Sequence, residues 1–253
     1  MQSADGNNNN NNNENQRIEG VTNVSQLSGL TNLQSLTFSD QFNEMLNVND
    51  LPESLKSLSF GRNFNKPLAP GVLPATLSTL TVGYHYNSKF EIGSLPASLT
   101  SLKVYGEFNQ QFALGVLPQS LKSLEFEGSY YASFIVGALP DSLESLVVKS
   151  YHYNEPFAVG VLPPSLKKLT ISNPSMQSLR ESRGFNQEFV AGSLPASLEL
   201  LNLGRTNFAY PLNDVGILPA SLKKLVLPFG YWRELPDNND NLVIKDGPVT
   251  LRR

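Results

Sequence analysis

The stretch that decides the fold is Leu51-Pro52-Glu53-Ser54-Leu55-Lys56-Ser57-Leu58-Ser59-Phe60. Its Leu-Pro pair recurs with the leucine at positions 73, 95, 117, 139, 162, 194, 218 and 235. The first five pairs are separated by 22 residues, and a constant period of this length is typical of solenoids, in which each repeat forms one coil that stacks on the previous coil. The sequence therefore predicts one repeat array rather than a domain with a single central core.

Each Leu-Pro pair is followed by a short alternating segment that predicts a β-strand. Leu58 and Phe60 are two residues apart, so in an extended strand they point to one face while the serines beside them point to the other. The same Leu-x-x-Leu-x-apolar pattern already occurs at residues 33–38, and a shortened form of it occurs at residues 239–244. Together these segments predict ten strands.

Proline limits what the other side of each coil can be. It fixes φ and removes a backbone donor, so the proline of each Leu-Pro pair can begin a short turn but prevents a long helix. We therefore expect a leucine-rich-repeat-like solenoid of about ten coils of about 22 residues. One face carries a parallel β-sheet, and the other carries short turns or extended chain rather than long helices.

A second motif precedes eight of the Leu-Pro pairs. It opens with an aromatic residue, at Phe42, Phe64, Tyr86, Phe108, Tyr130, Tyr153, Phe185 and Phe208. An asparagine follows in six of these coils, with Tyr131 and Ala209 as the exceptions, and a glycine stands two residues before the Leu-Pro leucine in all but one, where Asn49 replaces it. We expect the aromatic residues to form a buried spine. The asparagines can stack as a ladder that satisfies backbone groups, and the glycines indicate a backbone conformation closed to other residues.

The motif resembles a known family of repeats. The segments Phe64-Asn65-Lys66-Pro67-Leu68 and Gly71-Val72-Leu73-Pro74-Ala75-Thr76-Leu77 are similar to the FNIP repeat, also called IP22, of leucine-rich-repeat-related proteins, and the resemblance covers residues 42–227. It implies an interaction repeat, which in that family sometimes accompanies F-box, ankyrin or kinase domains. We therefore expect a protein–protein interaction module or scaffold that binds a partner through the strand face. The resemblance implies one alternative, the substrate-recognition arm of a ubiquitin-ligase or signalling assembly.

The organisation of the chain predicts four regions: a disordered, asparagine-rich tail at 1–17, an N-terminal cap and first coil at 18–41, the FNIP-type repeat array at 42–227 and a C-terminal cap coil at 228–253. Residues 7–13 are all asparagine, and such a run has no apolar side chain to bury. Caps are needed because an open coil exposes apolar surface and strand edges. We expect them to be formed by Ile18, Val21, Val24 and Leu27 at one end and by Phe229, Tyr231 and Trp232 at the other.

Composition argues against several classes of function. The net charge is −3, without the excess of positive charge that attracts nucleic acid, so we expect no nucleic-acid partner. No apolar run approaches the roughly 20 residues that cross a bilayer, and no secretory signal is recognisable. We therefore expect no membrane partner and a cytoplasmic location, with the nucleus as the alternative. The chain has no cysteine and two histidines, and no motif supports a catalytic set, a metal site or a cofactor, so we do not expect an enzyme.

The strand face and the edge beside it supply the candidate partner-binding residues. On the face these are Ser57, Ser59, Thr79, Thr81, Ser101, Lys103, Ser123 and Glu125, and at the edge they are Tyr84, Tyr105, Tyr130 and Tyr151. Small hydroxylated side chains permit a partner to approach closely, and tyrosine suits protein interfaces. Other interpretations stay open: serine and threonine also solvate a strand face that binds nothing, as in a structural spacer. A carbohydrate- or small-ligand-binding solenoid is a further alternative, which Tyr84, Tyr130, Tyr151 and Tyr153 favour.

Two departures from the regular array add further hypotheses. The spacing between Leu162 and Leu194 is 32 residues, which predicts an insertion at 174–183 that is either a tolerated surface loop or a projecting contact arm. His85 and His152 each stand directly before the motif aromatic, three coils apart. Three strand spacings amount to ~14 Å, so these two side chains cannot share one metal ion.

Overall fold

The computed structural model describes residues 16–174, 184–235 and 243–244. They form a single parallel sheet in which eleven strands follow one another in chain order. The strands are β1 Gln16–Val21, β2 Leu33–Phe38, β3 Ser57–Ser59, β4 Thr79–Val82, β5 Ser101–Gly106, β6 Ser123–Gly128, β7 Ser145–Ser150, β8 Lys168–Ser172, β9 Leu200–Asn202, β10 Lys224–Val226 and β11 Val243–Ile244. The one helix in this part of the chain is a 3-10 turn at Val24–Leu27. The predicted fold, a solenoid with a parallel sheet and without long helices, is confirmed.

The constant spacing sets the register of the sheet. Leu58 of β3 lies between Leu36 of β2 and Leu80 of β4, because each is 22 residues from the next. Identical residues therefore stack in columns, and the leucine columns are fully buried while the polar columns between them are half-exposed. A slip of one residue would turn the whole apolar column to solvent.

Strand β1 was not predicted. It pairs with β2, placing Ile18 beside Leu36, and begins at Gln16, two residues before the expected boundary between tail and cap. Its sequence lacks the leucine pattern, and only Val21 of its six residues is buried. It forms because the exposed edge of β2 offers unpaired backbone groups that an extended segment can satisfy. Residues 1–15, most of the predicted tail, lie outside the described residues.

The two ends are closed differently from each other. At the N-terminal end Val21 and Leu27 are buried, and Ile18 and Val24 pack against the core. At the C-terminal end Tyr231 stacks on Phe208 with a ring-centroid distance of 6.0 Å. The prediction that Phe229 and Trp232 cap the last coil is wrong, since they are 69% and 71% exposed. Phe229 lies in the turn that is closed by the hydrogen bond from the Tyr231 N–H to the Pro228 carbonyl oxygen, and Trp232 follows that turn.

The aromatic residues of the second motif form the expected buried spine. Each ring stacks on that of the next coil, with centroid distances from 5.8 Å for Phe64 and Tyr86 to 6.3 Å for Phe185 and Phe208. Eight coils contribute one ring each, at residues 42, 64, 86, 108, 130, 153, 185 and 208. Burial raises the pKa of the Tyr130 hydroxyl well above its usual range, so this phenol stays neutral inside the core.

The predicted asparagine ladder is also present. The side-chain Oδ1 of one coil accepts a hydrogen bond from the backbone N–H at the equivalent position of the next coil, at 2.7–3.0 Å. The acceptors are Asn43, Asn65, Asn87, Asn109, Asn154 and Asn186. Tyr131 and Ala209 receive this bond at their backbone but have no amide to pass it on, so the ladder is interrupted at these two positions, as expected.

A second ladder of hydrogen bonds joins the coils and was not predicted from the sequence. The hydroxyl of the serine or threonine before each strand segment donates to a backbone carbonyl of the previous coil, at 2.6–2.9 Å. The donors are Ser54, Thr76, Ser98, Ser120, Ser142, Ser165, Ser197 and Ser221. The signal was present in the sequence, because a hydroxyl residue stands three positions after the leucine of each of these Leu-Pro pairs.

Candidate functional site

The strand face consists of two columns of side chains that point away from the core. The first is Ser35, Ser57, Thr79, Ser101, Ser123, Ser145, Lys168, Leu200 and Lys224. The second is Thr37, Ser59, Thr81, Lys103, Glu125, Val147, Thr170, Asn202 and Val226. Except for the exposed Lys168, these residues are half-exposed. All eight candidate residues predicted for the face lie in these columns.

The first half of the strand face is a shallow floor of hydroxyl groups. On β3 and β4 the four outward positions are Ser57, Ser59, Thr79 and Thr81, and β2 contributes a serine and a threonine in the same columns. None of these side chains is larger than threonine, so the backbone of the sheet lies close to the surface. A flat partner surface or an extended segment can therefore approach the sheet here without moving any large side chain.

A cluster of opposite charges lies at the centre of the face. Lys103 of β5 and Lys149 of β7 both reach the Glu125 carboxylate of β6, with N–O distances of 3.0 and 2.7 Å. Lys149 also lies 3.6 Å from Glu127. We call these four residues the lysine–glutamate cluster. It joins three neighbouring strands, which holds its four side chains in a defined arrangement.

The electrostatics of the cluster follow from this geometry. Burial favours a raised pKa for the Glu125 carboxyl, but hydrogen bonds from Lys149 and Lys103 outweigh burial, and its pKa is lowered. The Glu125 hydrogen bonds in turn raise the pKa of Lys103 and of Lys149. All three groups are therefore charged at neutral pH. Lys149 and Glu127 were not among the predicted site residues, although the register of the sheet places Lys149 beside Glu127, two residues from Glu125 on the same strand.

The tyrosine edge is only partly as predicted. Tyr84 and Tyr151 are exposed by 44% and 38%, and Tyr105 is half-buried on β5. The prediction that Tyr130 is an edge contact is wrong, because Tyr130 is 1% exposed and stacks on Phe126 at 4.0 Å. It holds the aromatic position of the second motif, which always points into the core. The next residue, Tyr131, is 53% exposed instead.

Tyr84 belongs to a row of four side chains in contact at this edge. The Arg62 guanidinium lies over the Tyr84 ring, 4.8 Å from its centroid. The His85 ring meets the Tyr84 ring edge-on at 5.1 Å, and its Nδ1 lies 3.2 Å from a Glu107 carboxylate oxygen. These contacts join three coils into one polar and aromatic border of the strand face. No group of three or more metal-ligating side chains occurs within the part of the chain that the structure describes.

The second half of the face has more lysine, but much of this charge is balanced. Lys167 lies 2.9 Å from Glu144, and Lys223 lies 3.1 Å from Glu199. These pairs run from coil to coil at the position before the strands, where alternating signs support stacking. The insertion expected at 174–183 lies outside the described residues apart from Pro174, so the hypothesis of a contact arm remains a prediction.

Comparison with known proteins gives a consistent result. The model of the FNIP repeat matches residues 42–85, 86–129, 132–173 and 185–230. Among solved structures, the chain is similar to CroV588, described as a novel circular LRR protein, with 29% identity and a TM-score of 0.55 over 87% of the chain. It is also similar to an internalin, inlF, of Listeria monocytogenes, with 22% identity and a TM-score of 0.55 over 82% of the chain. The chain spans 36% and 58% of the length of these two proteins.

No significant match was found among curated protein sequences. Within the described residues, no helix has both the length and the apolar character needed to span a membrane.

Proposed function

Since the chain belongs to the FNIP repeat family, we propose that it is a protein–protein interaction module that binds its partner through the strand face. Solenoids of stacked repeats offer long continuous surfaces, and such surfaces are the usual binding sites of repeat proteins. The strand face of this chain extends across nine consecutive strands, β2 to β10, in unbroken register. The proposed partner is another protein, and no cofactor is needed for this role.

The observation that carries the proposal is the lysine–glutamate cluster at the centre of the face. The Glu125 side chain is only 14% exposed and is held by two lysines from the neighbouring strands. The two lysines are 42% and 38% exposed, and ion pairs that water reaches contribute only modestly to stability, so stability accounts for only part of this arrangement. Fixed charges of both signs favour one partner over others through electrostatic complementarity. A partner that contacts the hydroxyl floor and offers matching charges to the cluster would bind in a single register.

The edge around Tyr84 also favours a partner-binding site on the strand face. An arginine stacked on a half-exposed tyrosine forms a rigid patch, and both residue types are enriched at the centres of protein interfaces. The edge adjoins the columns that hold Thr81 and Lys103, so a partner lying on the floor can reach it as well.

The alternatives differ in what supports them. The carbohydrate- or small-ligand-binding hypothesis needs clustered exposed aromatic rings, but Tyr130 and Tyr153 are each 1% exposed, which removes half of the tyrosines on which it depended. The substrate-recognition arm of a ubiquitin-ligase or signalling assembly is a narrower form of the present proposal and rests on the family resemblance alone.

The experiment is an affinity capture from cell extract with the parent chain and with a variant carrying Ser101→Trp, Lys103→Glu, Ser123→Trp and Glu125→Lys. A partner retained by the parent and lost by the variant supports the strand face, provided that circular dichroism and thermal unfolding show a folded variant. A matched control carries Glu53→Lys and Gln119→Lys, which change charge on exposed turns after the Leu-Pro pairs. A partner that is retained by the strand-face variant, or lost by the control, contradicts the proposal.

A further inference from the structure

The side of the coils opposite the sheet carries an exposed apolar stripe. Within the described residues, every valine, isoleucine and leucine that is exposed lies on this side, at Val48, Ile92, Leu114, Ile135, Val136, Val159, Val190 and Val215. Most of them stand directly before the glycine of the second motif, or before Asn49 in its place. We define the outer stripe as the residues at that one position: Val48, Pro70, Ile92, Leu114, Val136, Val159, Ala191 and Val215.

Five side chains of the stripe, at residues 70, 114, 136, 159 and 191, lie over the glycine of the next coil, so the stripe is continuous from Leu114 onwards. A Cβ added at Gly137 would lie 3.3 Å from Leu114 Cδ2, and one added at Gly160 would lie 3.7 Å from Val136 Cγ1. The same relationship joins Val159 to Gly192 at 3.9 Å. From Leu114 to Val215 each member therefore adjoins the next across a residue without a side chain, and this part of the stripe forms a ridge along the outer face.

The middle of the outer stripe is free of charge. The segments 113–116, 135–138, 158–161 and 190–193 contain no charged residue in four consecutive coils. Beside them lies a shallow open groove of about 390 Å³ lined in part by Val159, Pro164 and Ala196. Soluble monomers rarely expose a contiguous apolar surface of this kind, and such surfaces usually mark an interface.

We propose that the outer stripe is the interface with a second copy of this chain, in an antiparallel arrangement centred on Val136. A two-fold axis that lies in the interface and crosses the stripe reverses its direction while keeping each flank on its own side. Leu114 of one copy then packs against Val159 of the other, and Ile92 against Ala191. The uncharged segments 113–116, 135–138 and 158–161 of the two copies cover one another, and the 190–193 segment of each copy meets the Ile92 coil of the other, which carries Glu91.

Charges on one flank favour this arrangement. Lys89 and Glu188 are both exposed, and each stands three residues after the aromatic residue of the second motif, Tyr86 or Phe185, in the same column of the flank. They lie two coils on either side of the Val136 coil, so the two-fold axis brings Lys89 of each copy to Glu188 of the other. Two ion pairs form by symmetry at opposite ends of the apolar interface.

One charge on the other flank, that of Asp141, opposes formation of the dimer weakly. Asp141, in the coil of Val136, meets Asp141 of the second copy across the axis, and this like-charged pair weakens the dimer.

A membrane surface is less favoured as the partner of the outer stripe. Glu91, Asp141 and Glu188 border the stripe and repel anionic headgroups, whereas membrane-bound faces are typically bordered by lysine and arginine.

Sedimentation velocity across a range of concentrations tests the proposal on the whole chain. The parent is expected to dimerise, and Val136→Glu is expected to weaken the dimer by more than about tenfold, since it places two like charges on the axis. Val136 is 59% exposed, so the variant should fold normally, which circular dichroism checks. The control is Tyr131→Glu, which alters a similarly exposed residue, 53%, outside the stripe and should leave the dimer unchanged.

A charge exchange tests the antiparallel register. Lys89→Glu should weaken the dimer, and Lys89→Glu combined with Glu188→Lys should restore it. A parent chain that stays monomeric overturns the proposal, as does a dimer that survives Val136→Glu or that the double exchange does not restore. A monomeric parent that sediments with phosphatidylcholine vesicles would assign the stripe to a lipid surface instead. None of these substitutions changes a residue of the strand face, so failure of the dimer proposal and failure of the proposed partner-binding function can be distinguished.

Discussion

The backbone N–H of Asn87 donates a hydrogen bond to Oδ1 of Asn65, 3.0 Å away and one coil earlier in the chain. The Asn87 side chain in turn accepts a hydrogen bond from the Asn109 N–H at 2.9 Å, so Asn87 is bonded to the coil before it through its backbone and to the coil after it through its side chain. In a repeat array the stability is close to a sum of terms for each coil and for each junction between coils. The ladder therefore acts at each junction where an asparagine is present.

Changes at two positions of the ladder should have opposite effects. Asn87→Ala removes the acceptors of Asn109 N–H and of the Gln110 side chain, and we expect it to lower the free energy of unfolding by about 1 kcal/mol, since water can reach this position. Tyr131→Asn supplies the missing amide between Asn109 and Asn154, and we expect an increase of up to about 1 kcal/mol. Urea unfolding followed by circular dichroism measures both. Equal effects of the two changes would contradict a role for the ladder.

The hydroxyl ladder gives a second prediction. The Ser120 hydroxyl donates to the Leu99 carbonyl at 2.7 Å from a half-buried position, so Ser120→Ala leaves that carbonyl with one partner fewer. We expect a loss of about 1 kcal/mol in the free energy of unfolding, measured as above. The neighbouring change Gln119→Ala, at an exposed residue, is the control and should lie within about 0.5 kcal/mol of the parent.

Two glycines should respond to the same substitution for different reasons. Gly115 has a φ of +76°, and a methyl group added there would meet only open space, so Gly115→Ala should cost about 1–2 kcal/mol from backbone conformation alone. A Cβ at Gly83 would lie 2.0 Å from the Gly61 carbonyl oxygen, so Gly83→Ala must separate two coils and should cost more. Thermal unfolding of the two variants ranks them. If Gly115→Ala proves the more destabilising, the close approach of the coils at Gly83 is not a constraint.

The lysine–glutamate cluster predicts a pH dependence. The Glu125 pKa is lower in the folded chain than its ordinary value, so the unfolded chain binds this proton more readily. The stabilisation is therefore present above the ordinary carboxyl pKa of about 4 and is lost as the pH falls through the lower folded value. Glu125→Gln should flatten the pH dependence of stability in that acid range. Glu53→Gln, outside the cluster, is the control, and an equal flattening by both would exclude a specific effect of the cluster.

The repeat pattern predicted much of the candidate site because register follows from spacing. Ser57, Thr79 and Ser101 form one column of the face, since residues 22 apart must align once the leucines between them are stacked in the core. The same spacing would have paired Lys103 and Glu125, and it marks Tyr130 as a core residue. Residue type alone favours an edge position for Tyr130, because tyrosine suits interfaces, whereas its position in the motif predicts a core residue.

Other features depend on which surfaces the coils leave uncovered. Asn49 adopts the same left-handed conformation, with a φ of +72°, that Gly71 adopts at +81° in the next coil. The backbone path therefore follows from the position in the repeat even where glycine is absent. The apolar residues before these positions resemble core residues in sequence, because no local pattern distinguishes an aliphatic side chain pointing outward in a turn from one pointing inward.

The sequence by itself determined the solenoid, the register of its sheet and which side of each strand is buried, because a constant period and an alternation of two leave only one way to bury the leucines. Only the tertiary structure decided that β1 covers the edge of β2, that Trp232 stays exposed, that Lys149 joins Lys103 at Glu125, and that Leu114, Val136 and Val159 are exposed to solvent. These depend on how side chains of different coils meet and on what remains uncovered after stacking, and neither is encoded in the order of residues within one repeat.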